Sequence, residues 1–197
     1  MPFLFVQIAP MGDRQALPNS MSKIARLREA QARVSQLPWT YMTTAVDTVN
    51  QESADLHASN KRLIGKRLAL IALSTQYNKP YAFKGPTFES ATAEDEGKVR
   101  IRFRNVTNGL TKKGDALKGF AIAGDDKKLI WARSEIEGDS VVIWHALVKK
   151  PALVTYSWAD NPDGNLYNGD NLPAIPFRSL VTGNDSLTMS GIKGGGH

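Results

Sequence analysis

The hydrophobic period of this chain changes near residue 77, and that change constrains its fold more than any other feature. Before it, short apolar runs at residues 3–8 and 41–46 alternate with segments of helical spacing at residues 20–37 and 60–73. A strand–helix–strand–helix order is typical of parallel strands joined by crossover helices. After it, short strands and frequent turn signals predict a small antiparallel β-sandwich.

The second half carries the clearest strand pattern. Residues 98–104 alternate apolar with basic side chains, which predicts a half-exposed antiparallel strand. Further strands are predicted at residues 119–123, 129–133, 141–145 and 153–158.

The division of the chain follows from these patterns. We predict an α/β segment over residues 1–77, a β-sandwich over residues 78–182 and a flexible tail over residues 183–197. Two parallel strands are too few for a sheet that is buried on both faces. The first segment is therefore expected to be the C-terminal part of a larger α/β domain, whose unpaired strand edges favour self-association.

Composition narrows the function classes. The 197 residues contain no cysteine and only three histidines, which excludes thiolate sites and leaves little material for zinc. The net charge of +6 is spread thinly along the chain, and no apolar run is long enough to span a bilayer. We expect no metal, no cofactor, no nucleic-acid partner and no membrane partner.

His57 is the main candidate for chemistry. It lies in a polar loop between a predicted buried strand and a predicted helix, where α/β domains place their sites. Asp55 or Asp47 could orient its imidazole as a general base. The alternative is a surface histidine without a catalytic role.

A tempting serine motif is rejected. Gly138-Asp139-Ser140 spells the nucleophile signature of the Gly-Asp-Ser esterases, but a strand precedes it and a strand follows it. This context predicts a tight hairpin turn rather than the strand-to-helix turn that such a serine requires.

A non-catalytic function is the competing hypothesis. The β-sandwich could bind carbohydrate through exposed aromatic side chains, and Tyr167, in a loop rich in Asn and Gly, is the best candidate for stacking on a sugar.

Several blocks in order resemble one family: residues 3–10, 25–31, 55–61, 119–126 and 172–178. They are similar to the C-terminal third of sialate O-acetylesterase-like carbohydrate esterases, which belong to the SGNH (GDSL) hydrolases. The resemblance implies a three-layer α/β/α domain, followed by the β-sandwich, in a serine esterase that removes O-acetyl groups from sugars or glycans. The resemblance also implies that the protein is secreted or periplasmic, as members of this family typically are.

The resemblance also assigns residues. His57 matches the family's catalytic histidine, although Ala58 stands where the family usually has proline. Many members carry aspartate at the position of Ala54, so Asp55 is one place away from the expected catalytic acid. The family's nucleophilic serine precedes the first residue of this chain, so we expect a piece that carries the base, lacks the nucleophile and is inactive alone.

Overall fold

The structure is a computed structural model that describes residues 1–18, 21–49, 53–54, 57 and 60–183. These residues contain two α-helices, α1 (Lys23–Val34) and α2 (Lys61–Gln76), and a 3₁₀ turn at Asp95–Gly97. The strands, in chain order, are β1 (Phe3–Gln7), β2 (Gly12–Asp13), β3 (Thr40–Thr44), β4 (Ser53–Ala54), β5 (Thr87–Ala93), β6 (Val99–Arg104), β7 (Leu110–Lys112), β8 (Phe120–Ala123), β9 (Ile130–Trp131), β10 (Arg133–Glu137), β11 (Ser140–Trp144), β12 (Leu153–Tyr156), β13 (Leu166–Asn168) and β14 (Phe177–Leu180).

Side-chain caps set the start of both helices. Ser22 Oγ accepts a hydrogen bond from the backbone N–H of Ala25 (2.9 Å), and Asn60 Oδ1 accepts one from Leu63 (3.0 Å). Each cap satisfies a backbone donor that the first helical turn leaves without a partner.

The first half contains one parallel pair of strands. β1 pairs with β3 in a register that runs from Phe3 opposite Thr40 to Gln7 opposite Thr44. Both helices contact this pair, and Ile64 of α2 packs against the small apolar cluster at its end.

The predicted fold class is wrong. The described residues are mostly β-strands in several small sheets, with two helices, and they do not form a three-layer α/β/α domain of the SGNH type. The physical reason is that hydrophobic period reports the local element and its pairing direction, but it does not report how many strands a sheet contains. Here the parallel sheet has two described strands.

Two antiparallel sheets make up most of the second half. One has the order β10-β11-β6-β5 and the other β14-β12-β8-β9. They share one core, in which Ile101 and Ile143 of the first sheet lie with Phe120, Val154 and Tyr156 of the second. β6 has the predicted alternation, because Val99, Ile101 and Phe103 are buried while Arg102 and Arg104 are exposed.

A buried arginine joins the two halves. Arg28 of α1 is fully buried and donates to the backbone carbonyls of Ile8 (3.0 Å), Ala9 (2.9 Å), Ala159 (2.6 Å) and Asp160 (3.0 Å). Burial lowers the pKa of Arg28 to about 10, and the charge of Asp160 opposes that shift. The guanidinium therefore links the end of β1 to the chain that follows β12.

Further side-chain contacts support the same junction. Ser22 Oγ donates to Asp160 Oδ1 (2.5 Å), and Arg178 binds Glu29 through two hydrogen bonds of 3.1 Å. No described helix has the length and apolar content that crossing a membrane requires.

Candidate functional site

The candidate site lies at the carboxyl end of β3, where the sequence places the loop that contains His57. The chain turns directly after the strand, and Thr48 donates to the carbonyl of Ala45 through both its backbone N–H (3.1 Å) and its Oγ1 (2.7 Å). Thr44 Oγ1 accepts from the backbone N–H of Val46 (3.1 Å). This tight turn fixes the backbone on either side of Asp47.

Asp47 is the centre of a buried polar cluster. Arg67 of α2 binds it through two parallel hydrogen bonds, Nη1 to Oδ1 (2.6 Å) and Nη2 to Oδ2 (2.7 Å). Tyr167 of β13 donates its hydroxyl to Asp47 Oδ2 (3.0 Å). Both side chains of the ion pair are almost completely buried, which makes its geometry and its third partner important for stability.

Arg67 fixes both flanks of the loop. Its Nη1 also donates to the carbonyl of Thr44, the last residue of β3 (2.9 Å). α2 follows the loop and Thr44 precedes it, so one side chain ties the exit of the loop to its entrance. The remaining nitrogen, Nε, is buried without a hydrogen-bond partner among the described residues.

Tyr167 is buried, so the prediction that it is an exposed sugar-stacking residue is wrong. Its exposed fraction is 4%, because its ring lies under the Lys113 side chain and its hydroxyl points to Asp47. The Lys113 Nζ is 3.7 Å from the ring centroid. Burial raises the pKa of Tyr167 above its usual value, and the negative charge of Asp47 adds to the shift.

Lys113 covers the cluster from the solvent side. Desolvation lowers its pKa, while the charge of Asp47 opposes that shift and the charge of Arg67 adds to it. The cluster thus combines one carboxylate, two cations and one phenol from both halves of the chain.

The structure places the predicted catalytic residues only in part. His57 lies in a bend and is exposed, while Asp55 lies outside the described residues. Asp47 is the other carboxylate predicted to orient the histidine. Both of its oxygens accept a hydrogen bond from Arg67, and its Oδ2 accepts a second one from Tyr167. The assignment of His57 as general base stays a prediction.

The hairpin turn predicted at the Gly-Asp-Ser motif is confirmed. Glu137 and Ser140 pair across the β10–β11 hairpin, with Gly138 and Asp139 at its tip. The Ser140 hydroxyl donates to the carbonyl of Glu137 (2.8 Å) and accepts from Arg100 (2.8 Å). A serine held in this way on an antiparallel strand has no helix N-terminus behind it.

Sequence reasoning missed the role of Arg67. The signal was present, because Arg67 lies between Ile64 and Ile71 at helical spacing, on the face of α2 that meets the core. A cation on an apolar helix face needs a buried partner. That partner, Asp47, could not be identified from spacing alone.

In the described part of the chain, no group of three or more histidine, aspartate or glutamate side chains lies where it could hold a metal ion.

The sequence matches no protein-family model and no curated protein. Solved structures do match it, among them the crystal structure of a carbohydrate acetylesterase, XAC1771, from Xanthomonas citri. That structure is 37% identical, has a TM-score of 0.81 and aligns with 90% of this chain. The chain has a carbohydrate-esterase-like fold. It spans 41% of the length of the Xanthomonas protein, so it corresponds to less than half of that esterase.

Proposed function

We propose that this chain is the base-carrying part of a serine carbohydrate esterase that removes O-acetyl groups from sugars, with His57 as the general base. The single observation that carries the proposal is the likeness to a carbohydrate acetylesterase at 37% identity over 90% of the chain. His57 is exposed, and the buried cluster fixes the flanks of the loop that contains it, which is consistent with the proposal.

The proposed reaction passes through an acyl-enzyme. A serine from a part of the esterase outside this chain attacks the acetyl carbonyl, and His57 takes the proton from the serine hydroxyl. The tetrahedral intermediate collapses, the sugar oxygen leaves with the proton from His57, and the acetyl group stays on the serine. Water then attacks the acetyl ester while His57 takes its proton, and His57 returns that proton to the serine oxygen as acetate leaves.

The Asp47 cluster has a supporting role in this proposal. Because Arg67 joins the end of β3 to α2, the loop between them starts and ends at fixed points. A histidine on a loop with fixed ends loses less conformational entropy when it meets substrate than one on a free loop. We assign the cluster to loop positioning and assign no proton transfer to it.

The substrate class within this proposal is an O-acetylated sugar or glycan. A sialate-type substrate is the finer hypothesis, and it rests on the family resemblance of the sequence.

The test is acetate release by the complete esterase and by the 197-residue chain alone, with acetylated sugars and p-nitrophenyl acetate as substrates. We expect the complete enzyme to be active and His57→Ala to lower its kcat by about 10²- to 10⁴-fold. Ser140→Ala should retain the parent rate, because its hydroxyl is held in the hairpin. The chain alone should give no rate above that of its His57→Ala variant.

Two outcomes contradict the proposal. One is a complete enzyme that keeps its full rate after His57→Ala. The other is robust hydrolysis by the chain alone that disappears on Ser140→Ala, since that result places the nucleophile within the β-sandwich.

A further inference from the structure

A pocket of about 170 Å³ lies between the parallel pair and the β-sandwich. The C-terminal turn of α1, the length of β3, the segment before β5 and the end of β6 form its walls. The volume is enough for one six-membered ring, since an engineered protein cavity of about 150 Å³ binds benzene.

The charge of the pocket is positive. Arg67, Lys84 and Arg104 contribute to its lining, and none of the residues that line it is acidic. Arg67 is neutralised by Asp47, whereas none of the ion pairs in the described part of the chain includes Lys84 or Arg104.

Arg104 differs in this respect from Arg100, which lies on the same strand. Arg100 of β6 binds both Glu94 and Glu137 and is therefore a satisfied ion pair on the sheet surface. Arg104, at the end of β6, faces the pocket without such a partner. An unpaired cation beside a cavity is available for an anionic ligand.

The remaining walls suit a sugar rather than a bare ion. Tyr41 and Phe83 meet edge to face, with ring centroids 6.2 Å apart, and give the pocket an apolar aromatic side. Gln36 and Asn105 use their amide nitrogens in internal hydrogen bonds, which leaves their side-chain oxygens for hydroxyl donors. Aromatic rings beside amide oxygens match the alternating C–H and O–H groups of a pyranose.

We infer that this pocket binds an acidic monosaccharide, with its carboxylate between Lys84 and Arg104 and its ring against Tyr41 and Phe83. The site goes beyond the proposed esterase activity, because His57 does not line it. It gives the chain a way to hold a uronic-acid residue apart from the ester under attack.

The test is calorimetric titration of the 197-residue chain with sodium galacturonate, with galactose as the neutral analogue. We expect galacturonate to bind about tenfold more tightly than galactose, which corresponds to one charge-assisted hydrogen bond. The affinity should fall as sodium chloride is added, because Lys84 and Arg104 are exposed. Arg104→Gln and Lys84→Gln should each weaken binding by about threefold to tenfold.

The chain supplies a matched control. Arg102 is an exposed arginine of the same strand that does not line the pocket, so Arg102→Gln should leave the affinity unchanged. His57→Ala should also leave it unchanged, whether or not His57 proves to be catalytic. This separates the binding site from the esterase proposal.

Three results overturn the inference. Equal affinity for galactose and galacturonate excludes a role for the two cations. Equal effects of Arg104→Gln and Arg102→Gln show general charge attraction. Inorganic phosphate binding as tightly as galacturonate shows an anion site without sugar recognition.

Discussion

At the scale of single residues, the tyrosines of the second half connect its core to the candidate site. Tyr156 is buried in the β-sandwich, and its hydroxyl accepts a hydrogen bond from the backbone N–H of Leu166 (2.9 Å). Leu166 precedes Tyr167, which reaches Asp47 at the end of β3. A short path of hydrogen bonds thus runs from the core to the loop flank.

The raised pKa values of these two tyrosines predict that the protein loses stability at alkaline pH. Burial raises the pKa of both Tyr156 and Tyr167, while in the unfolded chain each titrates near its ordinary value of about 10. Above that pH the unfolded chain releases protons that the folded chain keeps. The free energy of unfolding should therefore fall as pH rises above about 10, by up to about 1.4 kcal/mol per pH unit for each tyrosine.

Urea unfolding followed by circular dichroism measures this slope. The measurements run from about pH 8 to about pH 12, which spans the ordinary titration of tyrosine. Tyr167→Phe should cost about 1 kcal/mol at neutral pH through the lost Asp47 hydrogen bond, and it should make the alkaline slope shallower. Tyr77→Phe, which removes an exposed hydroxyl, is the control. An alkaline slope that Tyr167→Phe leaves unchanged contradicts the assignment.

At the scale of elements, the sequence predicted the helices and strands that have a clear hydrophobic period. β6 was predictable because its two faces meet different surroundings, and α2 because Ile64, Leu68 and Ile71 recur at helical spacing. β5 was missed, since its small residues in Thr87–Ala93 show no clear alternation. The strand β14 (Phe177–Leu180) was missed because it has only four residues.

Long-range pairs were beyond the sequence for a different reason. The Asp47–Tyr167 hydrogen bond joins residues 120 positions apart, and nothing local marks either as the other's partner. The loop of His57 was located from strand order, but the cluster that fixes its flanks follows from tertiary packing. The same limit explains the wrong fold class, because strand number is also a tertiary property.

The prediction at the scale of elements concerns Arg28, because its side chain links α1 to the end of β1 and to the chain that follows β12. Its guanidinium satisfies four backbone carbonyls in a buried site. Arg28→Ala should lower the free energy of unfolding by about 3 kcal/mol or more, because those carbonyls lose a charged donor. Equilibrium urea unfolding at neutral pH measures the loss.

Arg26→Ala is the matched control, because Arg26 is exposed on the same helix and its removal should change stability by about 0.5 kcal/mol or less. Similar losses for the two variants would show that Arg28 contributes no more than a surface arginine.

At the scale of the whole molecule, the first half exposes apolar surface that the second half does not cover. Phe3 of β1 is 60% exposed and Trp39, before β3, is 64% exposed. The two lie together, because the backbone N–H of Phe3 donates to the carbonyl of Trp39 (2.8 Å). Among the described strands, β1 pairs with β3 alone, so its other edge keeps free donors and acceptors.

An open strand edge beside exposed aromatic side chains favours pairing with another copy. We predict that the 197-residue chain self-associates reversibly at micromolar to millimolar concentration, which sedimentation velocity over a dilution series measures. Phe3→Lys and Trp39→Lys should each shift the chain toward monomer, because a lysine at a sheet edge opposes strand addition. Tyr81→Lys replaces an exposed aromatic residue elsewhere and should leave the association unchanged. A parent chain that sediments as a monomer throughout the series, or a shift that Tyr81→Lys reproduces, would place the contact elsewhere than on the β1 edge.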